Sequence, residues 1–191
     1  MMIERERLTA GVNLVAWGYI FLLLNVDING FSLIPNFVGY LLLFLAIRRL
    51  NALRPELNRL GLPCLLLFAY ELLKWPGYLA QFDNYLWVFL TVFLVSFFFQ
   101  AYFLTALVEL AADYLPGRSI VAELTGCRKW YLGCMGGGIL LYLVSLIGYA
   151  LDLLLIGWSL VSVGVSIWLV VVLFRLHKIL GETDMLAEKV L

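Results

Sequence analysis

Long apolar stretches follow one another along this chain, and the gaps between them alternate in charge. Of its thirteen Lys and Arg residues, all but Lys74 fall in alternate gaps, while the intervening gaps carry Asp27, Asp83 and Asp152 and no basic residue. Few architectures tolerate this arrangement. A helix crossing a bilayer needs roughly 20 mostly apolar residues to cover about 30 Å of hydrocarbon. With 64% hydrophobic and 14% charged residues, the chain is too apolar for a soluble domain, in which about half the residues are apolar and about a quarter charged. The expected fold is all-α: a single six-helix transmembrane domain arranged as three hairpins.

The predicted spans are 8–26, 33–47, 62–79, 85–111, 130–148 and 153–176. Between Trp130 and Leu176 the apolar pattern barely breaks, yet its length is about twice one crossing. It must therefore fold back, and the turn is placed at 148–152; a turn at Gly157 would instead carry Asp152 into the membrane. Cytoplasmic flanks keep an excess of Lys and Arg. Arg5 and Arg7, then Arg48, Arg49, Arg54 and Arg59, then Arg118, Arg128 and Lys129, and finally Arg175, Lys178 and Lys189 thus put both termini in the cytoplasm of a plasma-membrane protein. The N-terminal run contains Trp17 and leads into Asn25 and Asp27 with no small-residue cleavage site, so it reads as a retained span and not a signal peptide.

Zero formal net charge makes the basic residues reporters of topology and argues against nucleic-acid binding. Cys64, Cys127 and Cys134 fall toward the reducing side, so neither a disulfide nor a metal site is expected. The connectors at 48–61 and 113–129 are too short for soluble domains, and the tail after His177 reads as a brief helix or coil. Each outer loop holds one Asp, but no matching residue series surrounds them, so an internal repeat has little support. Aromatic residues at Trp75, Tyr78, Phe82, Tyr85 and Trp87, and at Trp130 with Tyr131, read as interfacial belts.

Four groups of residues stand out. The first outer turn holds the polar cluster Asn25, Asp27, Asn29 and Asn36 around Asn29-Gly30, with Ser32 able to cap the next helix and Pro35 suited to its first turn. The cluster's oxygen atoms could help hold a hard cation or a polar ligand head, but their spacing is no EF-hand. The second is intramembrane: Glu71 and Lys74 share a helix face. An ionised group facing lipid costs about 2.5 to 3.5 kcal/mol on insertion scales, so these two should face protein or water. Counted from the span ends, Ser96, Gln100, Ser162 and Ser166 lie at comparable depth, and together they would form a polar layer for ligand binding or transport. A plainer reading lets Lys74 snorkel to the interface and Glu71 find one hydrogen bond.

The third group is Gly133 and Gly137, at GxxxG spacing, with a similar smooth stripe of Gly157, Ser159, Ser162, Gly164 and Ser166 on the last span; both read as helix-packing surfaces. The fourth is Glu109 and Asp113, expected to be solvated or paired with Arg118 or Arg128. His177 is the only His and reads as a surface residue, which leaves no imidazole cluster for a metal. No cofactor and no catalytic group is expected.

The stretch Asn29-Gly30-Phe31-Ser32-Leu33-Ile34-Pro35-Asn36-Phe37-Val38-Gly39-Tyr40 resembles a segment found early in small multi-pass membrane proteins of Gram-positive bacteria. The resemblance covers about Asn25 to Leu42 and implies membrane class alone; it brings no activity and no site residue. Three functions fit the residues: a small transporter or ligand-binding membrane protein centred on Glu71 and Lys74, a non-catalytic scaffold for a membrane-protein partner, or, least supported, a lipid-modifying enzyme using Asp27 with its Asn neighbours or Glu109 with Asp113. The expected surroundings are the lipid bilayer and a small-molecule ligand or membrane-protein partner, with the oligomeric state open.

Overall fold

A computed structural model of the chain describes residues 2–24, 27–28, 31–32, 35–74, 85–146 and 151–188. Among these, six α-helices follow in order: α1 (Met2–Leu23), α2 (Asn36–Leu50), α3 (Gly61–Lys74), α4 (Leu86–Tyr114), α5 (Ser119–Leu146) and α6 (Asp152–Glu188). Three of them, α4, α5 and α6, are long and apolar enough to cross a bilayer, as a membrane protein requires. The described parts of α2 and α3 contain 15 and 14 residues. At 1.5 Å per residue that is roughly 22 Å each, shorter than the hydrocarbon layer.

Local chemistry sets several boundaries differently from the sequence reading. The strands β1 (Asp27–Ile28) and β2 (Phe31–Ser32) pair antiparallel, Asp27 opposite Ser32. Ser32 is therefore part of a ladder and not a helix cap, and Pro35 takes the N-cap place with an extended backbone. Asn25, Asn29 and Gly30 lie outside the described residues. The connector at 48–61 contains a 3-10 helix, Pro55–Leu60, started by a proline that supplies no N–H and buried through Leu57. The expected connector at 113–129 is mostly helix. Pro116 and Gly117, the latter at φ 73, break the chain after Tyr114, and α5 begins at Ser119. Residues 147–150, on which most of the expected turn at 148–152 falls, lie outside the described residues; α6 begins at Asp152 and contains Gly157. The tail beyond His177 continues α6 as far as Glu188.

Each helix packs on its sequence neighbour, and α6 returns to α1, closing a ring of six. The helices thus make more than three separate hairpins: α1 bridges α2 and α6, whereas α3 and α4 touch least. Contacts between Thr9 and His177, Arg54 and Glu109, and Glu123 and Arg175 bring both chain ends and both inner connectors to one end of the ring, called here the basic end. The ring is packed unevenly. Its core runs through Leu8, Val12, Val15 and Tyr19 of α1, Phe99, Phe103 and Leu107 of α4, and Leu169, Leu173 and Leu176 of α6, at helical spacing. Among the described residues, α4 before Phe99, α5 after Cys134 and α6 before Leu169 bury none. The helices share a core at the basic end and give it up toward the opposite, turn end.

Candidate functional site

The polar side chains of α1 to α4 meet where that shared core begins. Gln100 is the one buried polar side chain among the described residues, only 2% exposed, and accepts a hydrogen bond from the Tyr19 hydroxyl at its Oε1. The Tyr19 ring in turn meets Tyr131 of α5 edge-on, with centroids 5.9 Å apart. One helical turn toward the turn end, the hydroxyls of Tyr40 and Ser96 lie 3.4 Å apart, and Tyr40 is held further by the Cys64 thiol, which donates to its carbonyl oxygen at 3.3 Å. One turn further still, Asn36 Nδ2 donates to Glu71 Oε2 at 3.4 Å.

The steps from Asn36 to Tyr40 on α2 and from Ser96 to Gln100 on α4 are each one helical turn, about 6 Å. The groups therefore form a file descending into the ring, and not the single layer expected from counting depth along spans of equal length. Glu71 stands level with the first residue of α2, and Gln100 lies about two turns deeper. The two upper contacts, each 3.4 Å, are at the long end of hydrogen-bond geometry. Asn36 Oδ1 is buried and has no donor among the described residues. At the base, Tyr19, Gln100 and Phe99 close the file with buried side chains.

The other predicted residues are placed elsewhere. Lys74 ends the described part of α3, in the last turn and one turn beyond Glu71. Ser162 and Ser166 donate to the carbonyl oxygens of Trp158 and Ser162 on their own helix, and α6 packs on α5 and α1, so these serines do not join the file. Gly137 serves packing within the chain. A Cβ there would come within 2.3 Å of the Trp158 ring, whose Nε1 donates to the Cys134 carbonyl at 2.9 Å. A Cβ at Gly133, Gly157 or Gly164 would meet nothing within 4 Å. Glu109 pairs with Arg54 at 2.5 Å and not with Arg118 or Arg128; Arg128 instead donates to Thr105 at 3.1 Å. His177 is half-buried against the Thr9 carbonyl, a helix-joining contact and not a free surface. Tyr85, Trp87 and Trp130 are exposed, as belt residues are. Trp75, Tyr78 and Phe82 lie outside the described residues.

Sequence reading named Glu71, Ser96 and Gln100 and put Asn36 in the outer turn; it missed Tyr19 and Tyr40. The signal was present, since a Tyr amid an apolar run needs a partner for its hydroxyl once buried. What spacing could not supply was which helix faces which. The chain matches no protein-family model, and no curated protein or solved structure is similar to it.

Proposed function

We propose that the protein is a six-span plasma-membrane protein with cytoplasmic termini, acting as a small transporter or ligand-binding protein whose polar site runs from Glu71 down to Gln100. The observation that carries this reading is the file itself: polar groups of four helices brought together at the level where the helices stop sharing a core, above a closed base of Tyr19 and Gln100. One acceptor in the file, Asn36 Oδ1, is buried without a donor among the described residues, and a buried unsatisfied acceptor costs about 1–3 kcal/mol. The Glu71 carboxylate and Asn36 Oδ1 are both acceptors, so the site suits a ligand rich in hydrogen-bond donors, such as a protonated amine, entering from the turn end. Lys74, one turn from Glu71, would tune the charge of that entrance.

The test is mass spectrometry of small molecules released from gently purified protein. A polar molecule released by the wild type and missing from Glu71→Gln and Ser96→Ala, with insertion intact, is the expected result. Equal release from all three would sink the assignment. The small-residue face of α6 favours the scaffold alternative, because among the described residues a Cβ at Gly157 or Gly164 would meet nothing within 4 Å. A stoichiometric membrane-protein partner with no bound small molecule would support that reading instead.

A further inference from the structure

At the basic end, a cleft of about 580 Å³ opens between the start of α1 and the last turn of α2, lined by Glu6, Arg7, Ala10, Arg48, Arg49 and Ala52. Three guanidinium groups from two helices share it with one carboxylate. Elsewhere at this end, three basic side chains have acidic partners: Arg54 with Glu109, Arg175 with Glu123, Lys178 with Glu182. Among the described residues, Arg7, Arg48 and Arg49 have no carboxylate within ion-pair distance. The cleft is also built on a rigid seam. Beside Ala10, a Cβ at Gly11 would come within 2.5 Å of the Leu50 side chain, so α1 and α2 are in close contact there. The Arg48 guanidinium lies 5.9 Å from the Phe44 ring centroid, an orientation set by its own helix.

We propose that this cleft binds the phosphate of an anionic phospholipid headgroup. Guanidinium groups match phosphate oxygens in paired hydrogen bonds, which an ammonium cannot reproduce. The lipid source follows from position. Arg7 immediately precedes the apolar run of α1, and Arg48 immediately follows that of α2, so the three guanidinium groups stand at the height where headgroups meet the hydrocarbon. Ala10 and Ala52 keep the cleft open, and basic pockets between helices at this level are general acceptors of anionic headgroups. The inference rests on the membrane placement of α1 and α2 and is independent of the polar file.

The test uses the full chain in mild detergent, titrated with phosphatidylglycerol, phosphatidylcholine or inorganic phosphate and followed by native mass spectrometry. Phosphatidylglycerol should bind in preference to phosphatidylcholine, and millimolar inorganic phosphate should not displace it. Replacing Arg7, Arg48 and Arg49 together by Gln should weaken phosphatidylglycerol binding about tenfold or more. Arg59→Gln, at the same end but lining the α3–α4 cleft, should stay within about twofold. Should the triple variant fail to insert, Arg48→Lys with Arg49→Lys keeps charge and topology and should still weaken binding about threefold. Unchanged binding in the Gln or Lys variants, an equal loss in Arg59→Gln, equal binding of phosphatidylcholine, or displacement by inorganic phosphate would each overturn the proposal.

Discussion

The buried pair of Tyr19 and Gln100 links α1 to α4 across the ring, although neither helix packs its backbone on the other. Tyr19→Phe leaves the Gln100 acceptor unanswered, and Gln100→Leu leaves the phenol without its acceptor. In a membrane interior such hydrogen bonds average about 0.6 kcal/mol and reach about 1.7 kcal/mol, less than the about 1–3 kcal/mol for an orphaned buried group in water-soluble proteins. Each single change should therefore destabilise the protein by about 1 kcal/mol. The double variant should lose less than the sum of the two, as measured by unfolding in mild detergent. Strictly additive losses would show that the pair does not act as a unit. Residue types alone pointed to Gln100, because an amide in an apolar helix demands a partner; Tyr19 emerged only when α1 and α4 were seen to face each other.

Between elements, the glycines separate into those that hold helices together and those that do not. Gly18 and Gly39 meet back to back, and a Cβ at Gly39 would lie 2.8 Å from the Gly18 carbonyl oxygen, a backbone atom that cannot rotate away. Gly39→Ala should push α1 from α2 and cost about 1–3 kcal/mol, the usual range for overpacking. Gly133→Ala meets nothing within 4 Å and should be neutral or stabilise α5 by up to about 1 kcal/mol through helix propensity. Thermal unfolding of the two variants side by side checks this; equal losses would contradict the packing described. The GxxxG spacing marked Gly133 and Gly137 with equal weight, since spacing marks a smooth face without saying what lies on it.

For the whole molecule, the gathering of charged contacts at one end of the ring accords with the alternation of Lys and Arg along the chain. It makes the six-span reading testable in intact cells. Asp83→Cys should react with a membrane-impermeant maleimide from outside, whereas Arg118→Cys should react only after the membrane is opened. Labelling of both positions from the same side would remove an odd number of crossings from the six and reverse part of the topology. The native thiols Cys64, Cys127 and Cys134 are buried and should give little background. The uneven packing also belongs to this scale. The shared core at the basic end makes that half the stable part, and the polar file sits where it stops.

Composition and the charge alternation were enough to assign the membrane class and the helical fold, because a bilayer imposes length and polarity rules on each segment separately. The same local rules located Glu71, Ser96 and Gln100 as polar groups out of place. Tertiary structure alone decided that α6 closes on α1, that Ser162 and Ser166 bond their own helix, that Glu109 answers Arg54, and that the polar groups form a descending file instead of a layer. Each of these depends on which faces of distant helices meet and on how far each helix extends, and in an apolar environment nearly every face is hydrophobic. Periodicity therefore carries little record of which side turns inward, and only the packed ring shows it.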